Sequence, residues 1–123
     1  MSIQLTDISF ITPDVLRLRV FYEVVFGGKA EGDEVHSTLG INGTYFVFLA
    51  QKTPAFYYEY TSGVSNTILS FNVDDVDAEF QRLLSLGADI QCKPKTHPWG
   101  ARSFQFRDPD GNILNFRSMP KDD

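Results

Sequence analysis

Few side chains in this sequence could do chemistry, and their types narrow the choice quickly. The two histidines are His36 and His97, and the one thiol is Cys92. A single cysteine excludes an internal disulfide and any multi-cysteine metal site. Cys92 stands beside Lys93 and Pro94 with no catalytic partner in view, so a nucleophilic thiol has little support. Gly27-Gly28-Lys29 lacks the spacing of a phosphate loop, and neither a Gly-x-Gly-x-x-Gly nor a Gly-x-Ser-x-Gly motif occurs. Asp108 and Asp110 flank Pro109 before Gly111-Asn112, which is turn chemistry rather than an acid–base pair. What remains is recognition chemistry. Trp99, the sole tryptophan, either offers a ring face to a flat heteroaromatic or a cation or packs over a partner-chain seam or sheet edge. Arg102 suits a ligand anion, a partner-chain carboxylate or a surface ion pair.

The scaffold holding these residues is 123 residues long, with 42% hydrophobic and 22% charged side chains, the size of one domain (1–123) with a real core. Eleven basic and 16 acidic residues give a net charge of −5, which disfavours nucleic-acid and anionic-membrane partners and suits a cationic ligand. The longest apolar run, Tyr45 to Ala50, is too short to cross a bilayer, and Met1 to Asp7 has no signal-peptide pattern, so a cytoplasmic protein is expected. Aromatics make up 14% of the chain, enough to fill a core or line a cleft.

The pattern repeats. Asp7 to Val15 and Ile68 to Val76 each begin as an alternating strand and meet an acidic stop, Asp14 or Asp74-Asp75, of the kind that starts helices. In the first copy Thr12 can cap the helix, with Pro13 in its first turn. Apolar residues then recur at helical spacing, Leu18, Phe21, Tyr22 and Val25 in one copy and Val76, Phe80, Leu83 and Leu84 in the other, ending at Gly27-Gly28 and Gly87. Strands are expected at 35–39 and 45–49, joined by Asn42-Gly43, and at 89–93, 102–107 and 113–117. This predicts an α+β fold of two modules, about 1–51 and 66–119, joined by a linker at 52–65.

The stretch Pro98-Trp99-Gly100 followed by Asp108-Pro109-Asp110-Gly111-Asn112 resembles the signature of the glyoxalase/bleomycin resistance/dioxygenase superfamily, also called vicinal oxygen chelate, and is closest to bleomycin-resistance-type members. Phe21-Tyr22 before Gly27-Gly28, and Val73-Asp74-Asp75-Val76, agree in order and spacing. The resemblance implies two βαβββ modules whose mixed sheets curve into a cup, and a homodimer. Metal-dependent members hold a divalent ion with four side chains, usually His and Glu. Counted from the matched motifs, those positions here are Asp7, Ile68, Asn115 and one residue within Phe46 to Leu49, taken as Phe48. Two of these are apolar and one is an amide, and neither histidine matches a ligand position, so no metal and no other cofactor is expected.

Strand alternation places Asp7, Ser9 and Ile11 on the cup face, with Ile68, Ser70 and Asn72, and Ile113, Asn115 and Arg117. Phe46 and Phe48 join them in the register above. Arg102, Phe104 and Phe106 share one face of their strand; Ser103, Gln105 and Arg107 share the other. The ring-rich linker Pro54 to Tyr60, with Phe56, Tyr57, Tyr58 and Glu59, suits a lid, a partner contact or cover for a sheet edge. The expected ligand contacts are Asp7, Ser9, Phe46, Phe48, Tyr57, Tyr58, Ile68, Ser70, Trp99, Arg102 and Asn115. The leading expectation is metal-independent binding of a small aromatic or cationic organic compound, without catalytic residues. Two alternatives stand beside it: a metal-dependent lyase, isomerase or dioxygenase of the same superfamily, and a protein-interaction domain using the aromatic linker.

Overall fold

In both halves, an alternating strand feeds a capped helix that returns to antiparallel strands. The computed structural model describes residues 2–53, 57–58, 60 and 65–120. The chain divides into two units, 1–61 and 62–123, with the boundary inside the expected linker. The first unit contains β1 (Asp7–Thr12), α1 (Val15–Phe26), β2 (Glu31–Gly32), β3 (His36–Ile41) and β4 (Thr44–Ala50). The second contains β5 (Ile68–Asn72), α2 (Val76–Ser85), β6 (Asp89–Thr96), β7 (Arg102–Arg107) and β8 (Ile113–Ser118). The sheet orders are β1-β4-β3-β2 and β5-β8-β7-β6. In each, the first and last strands pair in parallel and the other pairs are antiparallel, giving two mixed four-stranded sheets in an α+β fold.

Local chemistry explains the boundaries. Asp14, rather than Thr12, caps α1: its carboxylate accepts from Arg17 N at 3.0 Å, one full turn along, while Thr12 Oγ1 accepts from Asp14 N and Pro13 stays outside the helix. Asp75 caps α2 in the same way through Ala78 N. Asn42 and Gly43 both take positive φ, 44° and 89°, as a two-residue hairpin turn requires. The sequence pattern did not mark β2, which is only two residues long. It exists because Gly32, at φ 125°, lets the backbone approach His36, where a Cβ would stand 2.1 Å from the carbonyl oxygen.

Ring packing fills the space between each helix and its sheet. Phe10, Tyr22, Phe26, Phe46 and Phe48 form one cluster, with Phe10–Tyr22 centroids 5.0 Å apart and Tyr22–Phe46 5.2 Å apart. Phe71, Phe104, Phe106 and Phe116 form the other, with Phe80 of α2 against Phe104. Every phenylalanine among the described residues takes part in one of these clusters or touches Tyr22. The unusual aromatic content is therefore mostly core.

Candidate functional site

Each sheet has one face under its helix and one open face. On β1 the helix side carries Ile8, Phe10 and Thr12, leaving Asp7, Ser9 and Ile11 on the open side, where Asp7 and Ser9 are exposed. The parallel register sets Ile8 beside Phe46 and Phe10 beside Phe48, and neighbours in register share a face. Phe46 and Phe48 are therefore helix-side core, 1% and 0% exposed, which corrects their expected place on the open face. The open-face residues of β4 are Tyr45, Val47 and Leu49, next to Asp7, Ser9 and Ile11.

Arg102 keeps the face that alternation gives it, but that face lies under the helix, so it is not among the open-face residues. It shares the helix side with Phe104 and Phe106, and its guanidinium grips Asp77 of α2 through two hydrogen bonds, Nε to Oδ2 at 2.9 Å and Nη2 to Oδ1 at 2.7 Å. A third bond runs from Nη1 to Thr96 Oγ1 at 3.0 Å. The Arg102 hydrogen bonds hold the Asp77 carboxyl below its ordinary range, and the same contact raises the Arg102 guanidinium. Arg102 thus ties α2 to the sheet and faces away from the open side.

The second sheet's open face brings several expected residues together. Ser70, Asn115, Gln105 and Cys92 stand side by side across β5, β8, β7 and β6. At ordinary strand spacing this polar row is about 14 Å long. Asn115 Nδ2 donates to Ser70 Oγ at 3.2 Å, and Cys92 Sγ lies 3.6 Å from Gln105 Oε1. Asn115 Oδ1 is buried without a hydrogen-bond partner among the described residues. In the adjacent row, Asn72, Arg117, Ser103 and Lys95 lie abreast, and Ser103 Oγ is 3.0 Å from His97 Nε2. His97 stacks on Trp99 with centroids 4.6 Å apart and planes 2° from parallel, while Trp99 remains 68% exposed. Trp99 is thus linked to the open face through His97 and Ser103. Ile68, 50% exposed, and Ile113 add an apolar end to the face. A cavity of about 380 Å³, lined by Asn72, Val73, Asp74, Ser118 and Met119, opens at the ends of β5 and β8.

In the first unit, Tyr57 and Tyr58 lie beyond β4. Tyr57 bridges to Lys52 and its hydroxyl accepts from Gln51 Nε2 at 3.3 Å; Tyr58 N donates to Gln51 O at 2.9 Å. Both rings are exposed. Phe56 and Glu59 of the same run lie outside the described residues. Asp108 and Asp110 are buried, and Asp108 accepts from the backbone of Asp110 and Asn112 and from Asn112 Nδ2, organising the β7–β8 turn.

A family model described as the Glyoxalase/Bleomycin resistance protein/Dioxygenase superfamily matches residues 4–116. The chain belongs to this superfamily. The uncharacterised protein YraH of Bacillus subtilis is 38% identical over 58 residues, covering 45% of this chain and 44% of YraH, so the match spans less than half of that relative's length. A glyoxalase/bleomycin resistance protein/dioxygenase from Nocardioides superposes with a TM-score of 0.82 at 17% identity, covering 100% of this chain and 87% of its own. Lactoylglutathione lyase from Agrobacterium tumefaciens gives 0.73 at 18%, covering 94% and 92%, and the fosfomycin resistance protein FosX from Mesorhizobium loti gives 0.72 at 22%, covering 98% and 95%. At these identities the likeness is one of fold.

A divalent metal implied by this superfamily does not suit the residues present. The matched positions supply one carboxylate, Asp7, together with Ile68 and Asn115, and the open-face side chains of β4 in the matched stretch are an aliphatic Val47 and Leu49. Among the described residues, no three His, Cys, Asp or Glu side chains cluster to hold an ion. One carboxylate and one amide leave a Lewis-acid ion short of donors. No described helix is long and apolar enough to cross a membrane.

Proposed function

We propose that this chain binds a small organic molecule through hydrogen bonds and ring stacking, without a metal. The observation that carries this reading is the second sheet's open face. Where metal-dependent relatives place His or Glu, this face has Ile68 and Asn115, and Asn115 stands in the neutral row Ser70, Asn115, Gln105 and Cys92. An open face with a few fixed polar groups, an apolar end at Ile68 and Ile113 and an exposed indole nearby suits recognition of an organic ligand. Asp7, Ser9, Tyr57 and Tyr58 add exposed polar and ring surface on the first unit. The homodimer and cytoplasmic location implied above belong to the same reading.

Trp99 provides the test, because its emission reports one indole connected to the face through His97 and Ser103. Titration with bleomycin and a panel of heteroaromatic, cationic and anionic compounds is expected to give a saturable change for at least one of them. It should be unaffected by a chelator. A flat response across the panel, by fluorescence and by calorimetry, defeats the reading. Stoichiometric metal in protein purified without chelator, with turnover that depends on it, would replace it with an enzyme of the same superfamily.

A further inference from the structure

We propose that the open face of the second sheet takes an organic anion carrying a hydrogen-bond donor about 7 Å from its charge. This names the ligand class for the binding reading above and rests on it. The chain is acidic at −5, yet charge on this face has the opposite sign. Arg117 of β8 and Lys95 of β6 stand on either side of Ser103, each directly beside it in register. Both are exposed, and Arg117 has no side-chain hydrogen bond or ion pair among the described residues. At ordinary strand spacing the two cations are about 10 Å apart, so an anion placed over Ser103 meets a guanidinium on one side and an ammonium on the other. Arg107 is the third cation of the face, already bonded to Gln91 Oε1 at 2.7 Å, and Asp89 stands opposite it at the far end of β7. Screening confines such charges to about 8 Å at physiological salt, so the local sign decides which ligand is held, not the net charge.

Asn115 supplies the second contact. It lies two residues before Arg117 on the same face, hence about 7 Å away along the strand. Its Nδ2 is committed to Ser70 Oγ, and Oδ1 is buried without a donor among the described residues. A ligand hydroxyl or N–H at that distance from the anion would satisfy it once the amide turns this oxygen to the open side. The exposed Trp99 indole, stacked on the His97 that bonds Ser103, gives such a molecule's ring a surface beside its charge.

The experiment compares 4-hydroxybenzoate, benzoate, 4-hydroxybenzamide and 4-hydroxybenzylamine by calorimetry on the full chain. We expect 4-hydroxybenzoate to bind at least about 10-fold more tightly than the neutral amide and the cationic amine. Arg117→Gln should weaken 4-hydroxybenzoate by about 10-fold and leave the amide unchanged, and added salt should weaken the acid alone. Asn115→Leu should erase the preference for 4-hydroxybenzoate over benzoate, with Asn115→Ser as a second variant if the leucine form does not fold. Amide or amine binding as tightly as the acid would overturn the anion assignment and leave the ligand-binding reading standing. If none of the four compounds binds, this inference falls, and the wider Trp99 panel decides the broader reading separately.

Discussion

Truncating Phe48 distinguishes a core ring from a ligand-facing one. Phe48 is fully buried, with Phe10 and Tyr22 ring centroids 6.0 Å and 5.2 Å away. Phe48→Ala removes a ring from a packed site, at a cost of about 3–5 kcal/mol. Against a total stability of about 5–15 kcal/mol, that is a large share. For a chain of this size the melting temperature should fall by about 12–20 °C, taking about 4 °C per kcal/mol. Tyr45→Ala is the control. Its ring is 55% exposed on the opposite side of the same strand, and its cost should stay within about 0.5 kcal/mol. Far-UV circular dichroism melts and urea midpoints measure both. A Phe48→Ala protein that melts within about 3 °C of wild type would refute the packing argument and turn β4 over by one residue.

Three further outcomes follow from the geometry. Gly32→Ala should destabilise the chain by more than about 1 kcal/mol, because its Cβ would stand 2.1 Å from His36 O at a φ of 125°; urea denaturation checks this, and a neutral result would refute the close approach. Asp77→Asn should lower stability at neutral pH. Since Arg102 depresses the Asp77 pKa from 3.8, the pair's contribution is present above the unfolded value and lost as pH falls through the folded one, so the wild-type and variant urea midpoints should converge in acid; a gap that persists there would sink the assignment. His97→Ala should change Trp99 emission without a ligand, since it removes the ring stacked at 4.6 Å, and identical spectra would mean that the stack does not form in solution.

The repeat was legible because each copy carries its own strand pattern, acidic cap and terminal glycine. The open-face residues of β1, β5 and β8 followed from alternation, since polar or exposed side chains mark one face there. Strand β4 carries no such mark: Tyr45 to Ala50 is apolar on both faces, so only its parallel register with β1 fixes the phase. Arg102 had the right face in sequence, but its partner Asp77 lies 25 residues away on a helix, beyond any local pattern. The alternation also separated Ser103, Gln105 and Arg107 from the rings of β7. That Gln105 and Cys92 complete a row with Asn115 and Ser70 needed the pairing of four strands.

Each half seats its own helix on its own wedge of phenylalanines. The rings that hold each unit together and the polar side chains proposed for recognition therefore lie on opposite sides of the same strands. Side chains such as Ser70, Gln105 and Asn115 take no part in the aromatic clusters, so under the proposed binding reading the preferred ligand is free to drift while the architecture stays fixed.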